Sequence, residues 1–202
     1  MRPTPPDSDS LASPCGVVLI ESRFGWVGLL GDEAGVRRVV IGHASRADLL
    51  DQLLPRSTNI TDPFVPAALK EAADRIDHYL GGEPVDLTTI PLHLPRCTPF
   101  QQQVVAQLRQ VGYGETLSYG ELAARAGRPR AARAVGTVMS SNPLPLLIPC
   151  HRVVGAGGQL GGFSAPTGIA LKRQLLEMEQ CQRPSAATDL VVGRYSTMTA
   201  AT

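Results

Sequence analysis

The segment Asn142–Val154 constrains the fold more than any other part of this 202-residue chain, because three prolines in it lead directly to a Cys-His pair. Proline fixes φ and lacks a backbone donor, so prolines at 143, 145 and 149 exclude a regular helix or a central strand. We expect a stiff, extended, apolar segment that ends at Cys150 and His151. A cysteine in such a segment is usually an inert core residue, whereas a cysteine beside a histidine can be an activated nucleophile.

Cys150 needs help to react at neutral pH. A thiol with a pKa of about 8.5 is only a few per cent ionised there, and a polarising imidazole can raise the thiolate to most of the population. Neighbouring side chains on an extended chain point apart, so His151 is expected to reach Cys150 through a turn or a bridging water. A third group should orient the imidazole, and Glu177 and Glu179, on a helix predicted over 170–180, are the candidates.

A zinc site is the weaker alternative, because no Cys-x-x-Cys or His-x-x-x-His pattern accompanies the Cys-His pair. We therefore expect no metal and no cofactor. The wide spacing of the cysteines also argues against a disulfide framework. The other cysteines and histidines are interpreted as bystanders or structural residues: Cys15, Cys97, Cys181, His43, His78 and His93.

Positive charge is concentrated in the second half of the chain. Residues 101–180 hold eight Lys/Arg and four Asp/Glu, whereas residues 1–100 hold nine and thirteen. Such a cluster suits a phosphate backbone, although a solvated helix face would have the same composition. The residues that could contact DNA combine arginines with small side chains, which allow close approach: Arg125, Arg128, Arg130, Ala132, Arg133 and Gly136.

Two short helices are predicted around these arginines. Ser118 and Glu121 form a capping box that starts the first helix, which ends at Gly127. Pro129 suits the first turn of a second helix that runs to about Ser140. Two helices joined by a tight turn indicate a helix-turn-helix, with an ordinary helical hairpin as the alternative. A preceding helix carries Phe100, Val104, Leu108 and Val111 on one stripe.

The first half predicts a small α/β unit. Three β-branched-rich runs at 16–20, 26–30 and 36–41 predict an antiparallel meander. Helices are expected over 44–54 and from Pro66 to Gly81. Residues 87–94 should be extended, either as a strand or as a linker. The predicted organisation is a disordered leader, an N-terminal domain, a second domain and a disordered tail, at 1–13, 14–95, 96–180 and 181–202.

The sequence also favours a location away from membranes. No apolar run approaches the ~18 residues that a membrane span needs. The first twelve residues lack the basic-then-apolar layout of a secretory signal. We therefore expect no membrane contact and a reducing, cytoplasmic setting.

The ordered motifs of the second half carry a family resemblance. Pro149-Cys150-His151-Arg152-Val153, preceded by Arg133-Ala134-Val135-Gly136 and Asn142-Pro143, resembles the O6-alkylguanine-DNA alkyltransferases, also called methylated-DNA–protein-cysteine methyltransferases. The likeness covers about residues 98–180, where several motifs match in order and spacing. The first half fits this family only by size and strand pattern.

The resemblance implies a fold and an activity. The first domain would be α/β and RNase H-like, and the second would be mostly helical with a helix-turn-helix. The protein would bind the minor groove of double-stranded DNA, flip out an alkylated base and transfer its alkyl group irreversibly to Cys150. O6-alkylguanine would be the substrate, with O4-alkylthymine left open as a second lesion. A bacterial-type monomer, associated with the nucleoid, would act once per molecule.

The resemblance also implies roles for individual residues. Arg133 would fill the space of the flipped base, and the Tyr119 hydroxyl would donate toward guanine N3. Cys150 would attack the alkyl carbon, while His151, oriented by Glu179, would take the thiol proton through water. Asn142 would brace the segment before Cys150. The base would be packed by Met139 and Phe163 and read by backbone groups of Val153 and Ser164.

Some positions depart from the family pattern, and other functions remain open. Phe163 stands where some relatives have Tyr, Ser140 stands where some are basic, and the loop 164–169 is slightly long. The alternatives are a lesion-binding protein without transfer, a sequence-specific regulator, and a thiol hydrolase with a Cys-His-Glu triad. Relatives of the lesion-binding kind lack the cysteine, and a hydrolase would need an oxyanion hole.

Overall fold

A three-stranded antiparallel sheet organises the first half of the chain. The computed structural model describes residues 15–54, 65–94 and 96–181. The strands β1 (Gly16–Ser22), β2 (Gly25–Asp32) and β3 (Gly35–His43) lie in the order β1-β2-β3. Gly25 turns the chain between β1 and β2 with φ 94°, and a Cβ there would lie 2.6 Å from the His43 carbonyl oxygen. The predicted meander is confirmed.

Two helices pack against this sheet. Helix α1 (Arg46–Leu53) is capped by Ser45, and α2 (Ala67–Gly81) buries a stripe that includes Leu69, Ile76 and Tyr79. Pro66 is the N-cap residue of α2, one position before the first turn that we predicted for it. Gly82 ends α2 in the left-handed conformation, with φ 105°.

The segment 87–94 is a connection rather than a strand. Leu92 forms one isolated parallel bridge with Val36, and the rest of the segment is turns and irregular chain. The linker interpretation is therefore correct. The predicted leader at 1–13, and the predicted tail apart from Cys181, lie outside the described residues.

The second half is mostly helical. Its elements are α3 (Pro99–Arg109), β4 (Leu117–Ser118), α4 (Tyr119–Arg125), α5 (Ala132–Ser140), β5 (Val153–Val154) and α6 (Ile169–Cys181), with 3-10 turns at Cys150–Arg152 and Ala156–Gly158. Capping boxes start both α3, at Thr98, and α4, at Ser118. A two-residue parallel pair, with Leu117 opposite Val153, joins β4 to β5. Strands this short leave no alternation in the sequence, so this pair was not predicted.

Two sequence predictions about prolines were wrong. Helix α5 begins at Ala132, because the Ala131 N–H donates to the Arg128 carbonyl at 2.9 Å and leaves Pro129 inside a turn. The segment after Asn142 is not extended, because the Ile148 N–H donates to the Leu144 carbonyl at 2.8 Å and the chain folds back on itself. Proline excludes helices and strands, but it is also compatible with such turns.

The two halves are joined by hydrogen bonds as well as by apolar packing. The Val39 N–H donates to the Pro143 carbonyl at 2.9 Å, and the Tyr113 hydroxyl donates to the Gly82 carbonyl at 2.9 Å. The predicted α/β class is confirmed, while the RNase H-like label remains a prediction. Among the three described ranges, no helix combines the length and apolarity needed to cross a membrane.

Candidate active site

The turns before Cys150 are fixed by the side chain of Asn142. Its Nδ2 donates to the Ile148 carbonyl at 2.9 Å, and its Oδ1 accepts from the Leu144 N–H at 3.0 Å. Leu146, within this loop, has φ 71°, a conformation that costs a non-glycine residue about 1–3 kcal/mol. Its side chain is only 2% exposed, so packing holds it there. The loop that leads to Cys150 is therefore fixed by the hydrogen bonds of Asn142 and by the packing of Leu146.

Cys150 is buried and protonated at rest. It opens the 3-10 turn Cys150–Arg152 and is 7% exposed. Burial raises the pKa of the thiol, and this outweighs the hydrogen bond from Asn142 and the positive charge of Lys172, which both lower it. The expectation that His151 makes most of Cys150 a thiolate is therefore wrong for the resting protein. The thiol must lose its proton during the reaction.

His151 is a neutral imidazole with one nitrogen available. Its Nε2 lies 2.9 Å from Glu179 Oε1, and both side chains are fully buried. Burial lowers the pKa of His151 more than the neighbouring carboxylate raises it. A carboxylate beside Nε2 favours the tautomer with the proton on Nε2. Nδ1 has no hydrogen-bond partner among the described residues, so its lone pair is available for a proton.

Glu179 is held ionised by the groups around it. Arg152 donates to it from Nη2 at 2.8 Å and from Nε at 3.1 Å, and the Gly114 N–H donates at 3.0 Å. Burial acts to raise the pKa of Glu179, but the hydrogen bonds from His151 and Arg152 and the positive charge of Arg152 lower it to about 2. The other candidate, Glu177, is exposed on a different face of α6.

Three buried residues at the site were missed from the sequence. The Tyr79 hydroxyl donates to Glu179 Oε1 at 2.5 Å, Arg152 pairs with Glu179, and Lys172 Nζ donates to the Val153 carbonyl at 2.6 Å. Lys172 lies seven residues before Glu179, which is two helical turns, so their shared face was a usable signal. Tyr79 is 100 residues from Glu179 in sequence and gave no such signal.

Tyr119 lies near Cys150, and a glycine-rich loop, residues 155–168, passes close to Tyr119. Tyr119 opens α4 and is half-buried, and burial, followed by the charge of Cys150, raises the pKa of its hydroxyl. A Cβ on Gly161 would come within 2.7 Å of that hydroxyl, so the loop passes Tyr119 closely. The Ser164 hydroxyl donates to the Ser140 carbonyl at 3.2 Å and ties the loop to the end of α5.

The residues predicted to contact the base differ in burial. Met139 is buried on α5, and Phe163 is a partly buried side chain packed against the core. Val153 is buried, and its carbonyl already accepts the Lys172 ammonium. Ser164 is exposed. Met139, Phe163 and Val153 are thus at least partly buried, whereas Ser164 is open to solvent.

Helices α4 and α5 present an arginine-rich surface. Arg130 and Arg133 are exposed, and the Arg128 guanidinium lies 5.0 Å from the centre of the Phe100 ring. Ala132 is half-buried, and a Cβ on Gly136 would meet nothing within 4 Å. Val135 and Met139 face the core from the opposite side of α5. Another surface can therefore approach the backbone of α5 closely.

Comparisons with known proteins agree on one family. The model of the 6-O-methylguanine DNA methyltransferase, DNA binding domain, matches residues 99–181. A methylated-DNA–protein-cysteine methyltransferase of Mycobacterium tuberculosis is 45% identical over 124 residues, which are 61% of this chain and 72% of the relative. One from Methanosarcina acetivorans is 34% identical over 164 residues, 80% of this chain and 96% of the relative.

Solved structures are similar over most of the chain. The crystal structure of the M. tuberculosis O6-methylguanine methyltransferase has a TM-score of 0.68 at 37% identity, covering 85% of this chain and 96% of that one. The M. tuberculosis protein in complex with DNA has a TM-score of 0.64 at 35% identity, covering 82% and 93%. The similarity therefore includes the first half as well as the residues that the family model matches.

Proposed function

The chain belongs to the methylated-DNA–protein-cysteine methyltransferase family, and from that premise we propose that it repairs DNA by moving an alkyl group from O6-alkylguanine to Cys150. The observation that carries this proposal is the burial of Cys150 beside the His151–Glu179 pair, in which His151 Nδ1 has no hydrogen-bond partner among the described residues. A thiol, a neutral base and a fixed carboxylate are the groups that a displacement on carbon requires.

The reaction is a direct displacement. The Cys150 thiol loses its proton to His151 Nδ1 through a bridging water, as the family resemblance implies, and the sulfur attacks the alkyl carbon. A sulfur–carbon bond forms, and the carbon–O6 bond breaks. The electron pair of that bond stays on guanine, which takes up one proton and so balances the proton lost by the thiol. The hydroxyl of Tyr119, which lies near Cys150, donates a hydrogen bond to N3 of the departing base and makes it a better leaving group.

Glu179 supports the charged state that forms during the transfer. Once Nδ1 accepts the proton, the imidazole is a buried cation. The carboxylate 2.9 Å from Nε2 stabilises this cation and keeps the ring in the correct tautomer. Asn142 contributes by holding the loop and by a hydrogen bond to the thiol.

Helices α4 and α5 form the proposed helix-turn-helix that enters the minor groove. The small residues Ala132 and Gly136 allow the backbone of α5 to approach the DNA closely. Arg128 and Arg130 contact the DNA phosphates. Arg133, an exposed side chain in the first turn of α5, fills the space left by the flipped base, the role that the family resemblance implies for it. Flipping costs a few kcal/mol, and less for a weakly paired lesion.

The flipped base enters the region between α5 and the glycine-rich loop. Met139 and Phe163 pack on it, and backbone groups of Val153 and Ser164 read its edges. O4-alkylthymine is a second substrate on the same chemistry. The thioether on Cys150 is stable, so each monomer acts once. We propose the division into units 14–95 and 96–180, with DNA contacted by the second.

The test is the mass of the protein after mixing with a duplex that contains O6-methylguanine. The expected result is one methylene added at Cys150, with one lesion repaired per protein molecule. The variant Cys150→Ala should bind the duplex and gain no mass, and Cys181→Ala, which removes an exposed thiol, should behave as wild type. Binding without any mass gain in the wild type would overturn alkyl transfer in favour of lesion sensing.

A further inference from the structure

Tyr79 brings the first half of the chain into contact with the reaction centre. It lies on α2 and is completely buried. Its hydroxyl donates to Glu179 Oε1 at 2.5 Å and lies 3.1 Å from His151 Nε2. Its ring packs edge-on against Tyr113, with centroids 5.9 Å apart. Tyr79 is outside residues 99–181, the part that the family model matches.

The geometry allows the hydroxyl to contact both partners at once. A phenol has one proton to donate and lone pairs that accept. The proton goes to Glu179 Oε1, and the oxygen then faces the Nε2–H of His151. Glu179 Oε1, His151 Nε2 and the Tyr79 hydroxyl thus form a closed triangle of 2.5, 2.9 and 3.1 Å. This triangle restricts rotation of the imidazole.

We propose that Tyr79 is a positioning residue for alkyl transfer, so that the first half of the chain completes the reaction centre as well as supporting it. This inference rests on the proposed function, because it assumes that His151 Nδ1 takes the proton of Cys150. In the described part of the chain Tyr79 has no hydrogen bond to Cys150, and it acts through His151 and Glu179.

Neighbouring charges act in opposite directions on the pKa of His151, and the Tyr79 hydroxyl modifies one of these effects. Glu179 favours the imidazolium, whereas Arg152 and Lys172 oppose it. The Tyr79 hydroxyl, as a neutral donor, disperses part of the carboxylate charge that faces Nε2. The titratable and charged groups around the imidazole are Glu179 and Lys172 from α6, Arg152 and Cys150 from its own turn, Tyr79 from α2, and Tyr113 from the segment after α3.

Removing the Tyr79 hydroxyl should shift the pKa of His151 in a defined direction. Without it, the full carboxylate charge faces Nε2, the pKa of His151 rises, and less of the neutral base is present at acid pH. Tyr79→Phe should also transfer about tenfold more slowly near neutral pH, because the imidazole loses the contact that restricts its rotation, and a loss of this size is expected for one hydrogen bond to a charged group. The acid limb of its pH–rate profile should move to higher pH.

Tyr113→Phe is the matched control. Its hydroxyl also joins the two halves, by donating to the Gly82 carbonyl at 2.9 Å, but it makes no hydrogen bond to His151 or Glu179. The rate should be measured with a free alkylguanine base, which bypasses DNA binding, across the pH range for wild type and both variants. Tyr113→Phe should keep the wild-type pH profile.

The outcomes separate this inference from the proposed function. If wild type transfers and Tyr79→Phe has an unchanged profile, or if both variants lose rate equally at every pH, positioning by Tyr79 is overturned. If the wild type itself does not transfer, the proposed function fails instead. Should Tyr79→Phe not fold, NMR of the wild type decides: the Tyr79 hydroxyl proton must exchange slowly and show a cross-peak to the Nε2–H of His151. Its absence overturns the inference.

Discussion

Replacing Glu179 with Gln removes one charge from the buried site and keeps the side-chain shape. The pKa of Glu179 is lowered from 4.5 to about 2, and its side chain has no exposed surface. At about 1.4 kcal/mol per unit, the ionised form contributes roughly 3 kcal/mol to stability at neutral pH. Removing one partner of a buried ion pair costs ~3–5 kcal/mol, which agrees. We expect Glu179→Gln to lower the free energy of unfolding by about 3 kcal/mol.

The pH dependence of this loss follows from the sign of the shift. Because the pKa is lower in the folded state, the contribution is complete above the unfolded value of 4.5 and disappears as the pH falls through about 2. Urea unfolding of wild type and Glu179→Gln, at neutral pH and at several acid values, measures it. The difference between the two proteins should shrink steadily below about pH 4.5.

The control is Glu177→Gln, on the same helix but exposed. It should change the free energy of unfolding by less than about 0.5 kcal/mol at any pH. Equal stability of the two Gln variants at neutral pH would contradict a stabilising charge on Glu179. An equal loss in Glu179→Gln at low pH would show that the charge is not its cause.

Three further predictions concern the DNA-facing side of the site. Arg133→Ala should slow transfer from a duplex about tenfold or more while leaving the rate on a free alkylguanine base unchanged, because Arg133 lies outside the base region. Equal losses on both substrates would remove the base-replacing role. Tyr119→Phe should slow transfer about 10–100-fold in a single-turnover assay, and an unchanged rate would make the hydroxyl dispensable. Gly136→Ala should raise the free energy of unfolding by about 0.5–1 kcal/mol in a urea melt, and should weaken duplex binding measured by fluorescence anisotropy, since the new methyl has open space but lies on the proposed groove face.

Local signals predicted most of the helices and strands. Two such signals each lie within about ten residues: the capping box of Ser118 and Glu121, and the apolar face of α3 with Val104 and Leu108. Both are confirmed. The segment after Asn142 was misread because its shape depends on hydrogen bonds made by one side chain, which proline spacing does not encode. The same limit applies to Pro129, which fits a turn as well as a helix start.

The candidate site was predictable only where its residues are neighbours in sequence. Cys150 and His151 are adjacent, and their pairing is visible in the chain itself. The choice between Glu177 and Glu179 needed the orientation of α6, which sequence alone left open. Tyr79 comes from another part of the fold, and its contact with Glu179 follows from the packing of α2 against the second half rather than from any motif.

Burial of Cys150 also bears on how long an unused molecule stays competent. Oxidants and simple electrophiles consume the thiols that are ionised and accessible. Cys181 is exposed and Cys15 and Cys97 are partly so, whereas Cys150 is 7% exposed and burial raises its pKa. A peroxide should therefore modify the peripheral cysteines first. Under the proposed single transfer, the burial that keeps Cys150 protonated also protects its sulfur from oxidation until a base reaches it.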